Sequence, residues 1–101
     1  FTTASGSPIT VGTQPWALVA GDFNNDGKLD LAIVNRPNSG YGSVTLLLGN
    51  GDGTFTQASG SPYTVGPSPD AIAAADFNGD GKLDLAVANS IDGTVSILLQ
   101  Q

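Results

Sequence analysis

Asp22-Phe23-Asn24-Asn25-Asp26-Gly27-Lys28-Leu29-Asp30 recurs 54 residues later as Asp76-Phe77-Asn78-Gly79-Asp80-Gly81-Lys82-Leu83-Asp84. In each copy, side-chain oxygens stand at loop positions 1, 3, 5 and 9, and Gly stands at position 6, where the backbone must turn sharply to wrap a cation. The first copy offers the carboxylates of Asp22 and Asp26, the amide oxygen of Asn24, the backbone carbonyl of Lys28, and a bidentate Asp30. The second offers Asp76, Asn78, Asp80, the carbonyl of Lys82, and Asp84. An all-oxygen set at this spacing suits Ca2+, and two ions per chain are expected. Without a cation, three carboxylates this close should raise one another's pKa. An EF-hand would carry Glu at position 12 and a following helix; here position 12 is Ile33 or Val87, inside a β-branched run. The plain alternative is a pair of Asn/Asp/Gly turns that binds nothing, since these residues favour turns on their own.

The loops are part of a longer repeat. Phe1 to Gly12 returns as Phe55 to Gly66 at the same offset, and 24 of the first 35 positions are identical to their counterparts. A period near 50 residues, without helical apolar spacing, is that of a propeller blade. Four strands are expected per blade: a polar Thr/Ser-rich strand ending at Ile9-Thr10-Val11, a small-residue strand from Pro15 to Phe23 in a crowded place near an axis, Leu29 to Asn35, and Ser43 to Leu48 after a turn at Asn38 to Gly42. Apolar residues at odd and even positions of the last two predict sheets covered on both faces.

The fold class read from this pattern is all-β, with two four-stranded antiparallel propeller blades. Residues 1–12 form an outer strand that completes a blade of a neighbouring chain, 13–66 form the first blade, and 67–101 form a second blade lacking its outer strand. Propellers have about four to eight blades, so two cannot close a ring. Head-to-tail homo-oligomerisation is therefore expected, with a trimer of six blades favoured, a tetramer of eight next and a dimer of four last. A fragment or a domain-swapped dimer stays open as the other explanation of the spare strand.

Composition narrows the function classes. All nine acids are Asp and six of them lie in the two loops, so the net charge of −6 is local. Lys28, Arg36 and Lys82 are the only basic residues, which leaves no patch for phosphates or anionic lipid and disfavours nucleic acid and membranes. Absence of Cys and His removes thiol chemistry and points any metal site to a hard, oxygen-preferring ion. The usual catalytic bases and nucleophiles are missing as well, so no enzyme is expected. No secretory signal pattern opens the chain, and a secreted or extracellular location is the expectation for a natural protein.

The Asp-Phe-Asn-x-Asp-Gly-Lys-x-Asp-Leu-Ala-x-x-Asn core resembles the FG-GAP/VCBS-type repeats of integrin-like β-propellers over essentially the whole chain. The resemblance implies calcium in the loop between a blade's first two strands and a propeller fold. The Gly-Ala-Pro element behind the family's name is absent, and the integrin ligand-binding role does not carry over. A calcium-binding scaffold, designed or excised as a two-blade unit, is the expected function. The alternative is a lectin-like module binding carbohydrate at blade junctions.

Three residues are candidates for such a ligand site. Trp16 is the only Trp and its counterpart is Asp70, so the position is not core; it suits a channel mouth or blade junction, where an aromatic ring stacks on a sugar. Tyr41 lies in a turn longer than its counterpart, with Arg36 nearby. For all three, an ordinary exposed or interface role is the competing reading. Asn35 and Asn89 end equivalent strands, which suggests backbone capping or turn formation.

Overall fold

The computed structural model describes residues 1–101. Eight strands and no helix make up the chain: β1 Pro15–Gly21, β2 Asp30–Asn35, β3 Tyr41–Gly49, β4 Phe55–Gln57, β5 Tyr63–Pro67, β6 Pro69–Ala75, β7 Asp84–Asn89 and β8 Thr94–Leu98. They form two antiparallel sheets. The first runs β1-β2-β3, with β4 and β5 both on the outer edge of β3; the second is β6-β7-β8.

Strand pairing fixes which side chains share a face. Ala17, Val34 and Val44 align in one row of the first sheet, and Val19, Ala32 and Leu46 in the next. In the second sheet, Ile72 aligns with Val87 and Ser96, and Ala74 with Leu85 and Leu98. These two faces pack on each other. The resulting core is built on Phe23, Ala32, Val34, Val44, Val65, Leu85 and Val87, with Val19, Leu46, Ile72 and Leu98 against it. Of 101 residues 18 are buried, and in the first sheet they include residues of both faces, Ala32, Val34 and Val44 on one and Ile33 and Thr45 on the other.

The outer face of the second sheet is open. Ala71, Ala73, Ala88, Val95 and Ile97 are exposed on it, so the expected covering of both faces is not met in the single chain. The small-residue strand β1 is the edge of its sheet; it packs on β6, with Ala17 and Val19 half-buried, and leaves Trp16, Leu18 and Ala20 exposed.

The outer strand of the first sheet also differs from expectation, since it comes in two pieces, β4 and β5. Gly60 sits at φ +87° and Pro62 has no N–H, so the chain swings out between β4 and β5. The middle of β3 is served across this gap by other groups. Ala58 N–H donates to the Leu46 carbonyl at 2.9 Å, and Leu46 N–H donates to the Ser61 hydroxyl at 2.9 Å. The other copy of this segment, residues 1–14, holds no strand at all. It lies over the far face of the first sheet, where the Thr45 hydroxyl donates to the Val11 carbonyl at 2.7 Å. The expected turn at Asn38 to Gly42 ends earlier, because Tyr41 already pairs with Pro67 in the sheet.

Candidate metal centres

Each acidic loop joins the first strand of a sheet to its second, and its conformation follows from the residues at its bends. Asn25 and Gly27 have φ of 58° and 81°, and Gly79 and Gly81 have 76° and 82°. Asn is the side chain that best tolerates the left-handed region, which explains the Asn25/Gly79 exchange between copies. A Cβ on Gly27 or Gly81 would meet nothing, so backbone conformation alone selects glycine there.

Inside that bend the first Asp gathers backbone donors. Gly27 N–H donates to Asp22 Oδ2 at 2.8 Å and Asp26 N–H to Asp22 Oδ1 at 3.2 Å. In the second loop, Gly81 N–H donates to Asp76 Oδ2 at 2.7 Å, and Gly79 N–H to Oδ1 at 2.8 Å. The Gly27 N–H, foremost among these donors, holds the Asp22 carboxyl below its ordinary range, and the Gly81 N–H does the same for Asp76. The expected mutual raising is thus overturned at these two residues, because hydrogen bonds to the charged form outweigh repulsion across a solvated loop.

Lys28 and Lys82 enter the loops through their N–H groups, which donate to Asp26 Oδ1 at 2.9 Å and Asp80 Oδ1 at 3.0 Å. The Asn24 amide turns its oxygen toward Asp22 Oδ1 and Asp26 Oδ1, at 3.0 and 2.9 Å. Turned the other way, its nitrogen would donate to both.

The ninth residue is different in kind. Asp30 and Asp84 are the first residues of β2 and β7 and are fully buried. Asp30 Oδ2 accepts from Phe23 N–H at 2.9 Å and Oδ1 from Gly49 N–H at 2.8 Å. Asp84 accepts from Phe77 N–H and Gln100 N–H, both at 3.0 Å. Each therefore ties its loop to the end of the third strand while keeping a second lone pair on each oxygen.

Carboxylate oxygens of Asp22, Asp26 and Asp30 lie within 4.8 Å of one another, as do those of Asp76, Asp80 and Asp84. Ligands 2.3–2.6 Å from a calcium ion can stand no more than about 5 Å apart. Both clusters fit that limit with hard oxygen donors alone.

The other candidates lie at the opposite end of the strands. The Arg36 guanidinium sits over the Trp16 ring, 4.5 Å from its centroid, and donates to Asp70 Oδ1 at 2.7 Å. Trp16 and Arg36 are thus brought together, and Arg36 links the first sheet to the second. Tyr41 is exposed, and neither cleft of the chain includes it, Trp16 or Arg36. Asp70 was legible only as the counterpart of Trp16, since no local pattern announces an ion pair across a repeat.

Asn35 and Asn89 do not form turns. Each is buried; Asn35 Nδ2 donates to Thr45 Oγ1 at 2.9 Å and Asn89 Nδ2 to Ser96 Oγ at 2.9 Å. Gly12 and Gly66 lie flat against these amides, where a Cβ would collide.

Two blade-like antiparallel sheets, each with an oxygen-lined acidic loop between its first two strands, define an all-β repeat module. A model of the FG-GAP-like repeat matches residues 22–87, and the chain belongs to that family. No curated protein and no solved structure matches it.

Proposed function

We propose that the chain is a calcium-stabilised structural module, a pair of blades of an integrin-like β-propeller completed to a ring by further copies, and that it does no catalysis. One observation carries the reading. Both repeats converge three carboxylates within 4.8 Å, and the third of each is a buried Asp bonded to the end of the third strand. A cation held there neutralises loop charge and braces three strands together, which favours the folded state by mass action. Asp22, Asn24, Asp26, the Lys28 carbonyl and Asp30 would hold one ion; Asp76, Asn78, Asp80, the Lys82 carbonyl and Asp84 would hold the other.

Thermal melting in excess calcium and in excess chelator tests this, with native mass spectrometry counting ions. We expect two calcium ions per chain and a midpoint that falls in chelator; an unchanged midpoint would sink the calcium reading. A carbohydrate site at Trp16, Tyr41 and Arg36 takes second place, because Arg36 already covers one face of the indole and is paired with Asp70. Specific retention on a glycan array, lost on Trp16→Ala, would reverse that order.

A further inference from the structure

We infer that the open face of the second sheet, with the free edge of β8, is the docking surface for a second copy of this chain, which fills it with its first sheet and its residues 1–12. The inference rests on the propeller reading above and adds to it the surfaces and the register.

The face is chemically the one already used inside the chain. Ala71, Ala73 and Ala88 are the repeat counterparts of Ala17, Val19 and Val34, and strand pairing makes Val95 and Ile97 the counterparts of Val44 and Leu46. In the first sheet Val19, Val34, Val44 and Leu46 pack against the second sheet. In the second sheet their counterparts are exposed, and Ala71, Ala73, Ala88 and Val95 line a shallow, wholly apolar groove of about 220 Å³. The complementary face of the second sheet, built on Ile72, Val87 and Leu85, has its counterpart on the far side of the first in Leu18, Ile33 and Leu31. The surface that would dock and the surface that would receive it are thus both present on one chain. They face away from each other, so these two sheets cannot bring them together, and a second copy supplies the matching face. A contact of this heterologous kind propagates head to tail and closes if the rotation divides the circle.

The edge of β8 makes the same demand. β3 carries β4 and β5 on its outer edge, whereas β8 carries nothing. Yet the chain holds a second copy of the segment that fills the β3 edge: residues 1–12 match 55–66 at 10 of 12 positions. Its central turn is already formed, with Gly6 at φ +83° and Gly60 at +87°, and with Ser7 N–H to Ala4 and Ser61 N–H to Ala58 bonds both 3.1 Å. It cannot reach its own β8. Val11 is held by Thr45, on the side of the first sheet that faces away from the second.

Register follows from the first blade. Gly49 N–H bonds to Asp30 as Gln100 N–H bonds to Asp84, which aligns β8 with β3. Val44 pairs with Tyr63 and Ser43 with Thr64. Their counterparts place Ile9 of the second copy against Val95 and its Thr10 against Thr94. The two kinds of junction differ in their polar pair. Arg36 meets Asp70 within a chain, and Ser90 would face Trp16 between chains.

Light scattering on the full chain in calcium reads the assembly, and cysteine cross-linking reads the register, since the chain has no Cys of its own. We expect a closed multimer, three copies giving about 30 kDa from a 10.1 kDa chain. Oxidised Thr10→Cys/Thr94→Cys should run as covalent multimers on a denaturing gel, where either single variant, with no Cys opposite it, should run as a monomer. Ala73→Arg should give a monomer whose circular dichroism is unchanged. A folded 10.1 kDa species at micromolar concentration with two bound calcium ions overturns the docking and leaves the calcium module standing. A multimer that survives Ala73→Arg, or that fails to cross-link in the double variant, overturns the assigned surface. Loss of both calcium and assembly would instead remove the reading on which the inference rests.

Discussion

Asp30 and Asp84 each serve two interactions that substitutions can separate. As buried acceptors each takes two backbone N–H groups, and as carboxylates each stands in a cluster of three. Asp30→Ala should therefore lower unfolding free energy by on the order of 2–5 kcal/mol even in chelator, because two buried donors are left unpaired, and should lose the calcium increment as well when calcium is present. Asp26→Asn keeps an acceptor for the Lys28 N–H and is exposed, so it should lose only the increment that calcium supplies. Urea titrations of both variants with and without calcium would read the difference; equal losses for the two in chelator would contradict it. The oxygen spacing of these loops was readable from sequence because ligand position is set by local turns. The double role of Asp30 was not, since its partner Gly49 lies 19 residues away and offers only a backbone amide.

At the level of the element, the junction between sheets sets packing against charge. Gly42, at the start of β3, stands so close to the Pro69 ring and the Asn35 carbonyl that a Cβ would collide with both. Beside it, the Arg36–Asp70 pair has side chains 30% and 39% exposed. An exposed pair of this kind contributes about 0–1 kcal/mol, and the stacking on Trp16 about as much again. Overpacking costs about 1–3 kcal/mol. Gly42→Ala should thus destabilise more than Arg36→Ala, with only the Arg36 effect shrinking in high salt; the reverse order in urea midpoints would show that the junction is held by charge. The inner three strands of each sheet follow the β-branched and small-residue runs in the sequence. The outer strand does not, since its break depends on the Ser61 hydroxyl replacing a backbone acceptor, which is a tertiary event without a local signature.

For the molecule as a whole, the sequence period gave the two sheets and their shared orientation, while the open face and the unpaired segment are properties of packing that a periodicity cannot express. The core lies between the sheets rather than within either. The chain should accordingly unfold in one step: the fluorescence of Trp16, which sits in the first sheet alone, and circular dichroism, which averages over both, should give coincident urea curves. Two separated transitions would mean that the sheets are independent domains.

The split outer strand carries a last consequence. The segment that opens the second repeat, β4 and β5, is hydrogen-bonded to the sheet of the first, and Gly66 at its end packs on Asn89 of the second. Sequence unit and structural unit are out of phase. What would be a linker between beads is instead a strand woven into one blade and wedged beneath the next. Bending at the junction would have to strip that strand from β3, so the two sheets should resist bending as one plate, and force applied along the chain would load a ladder of hydrogen bonds.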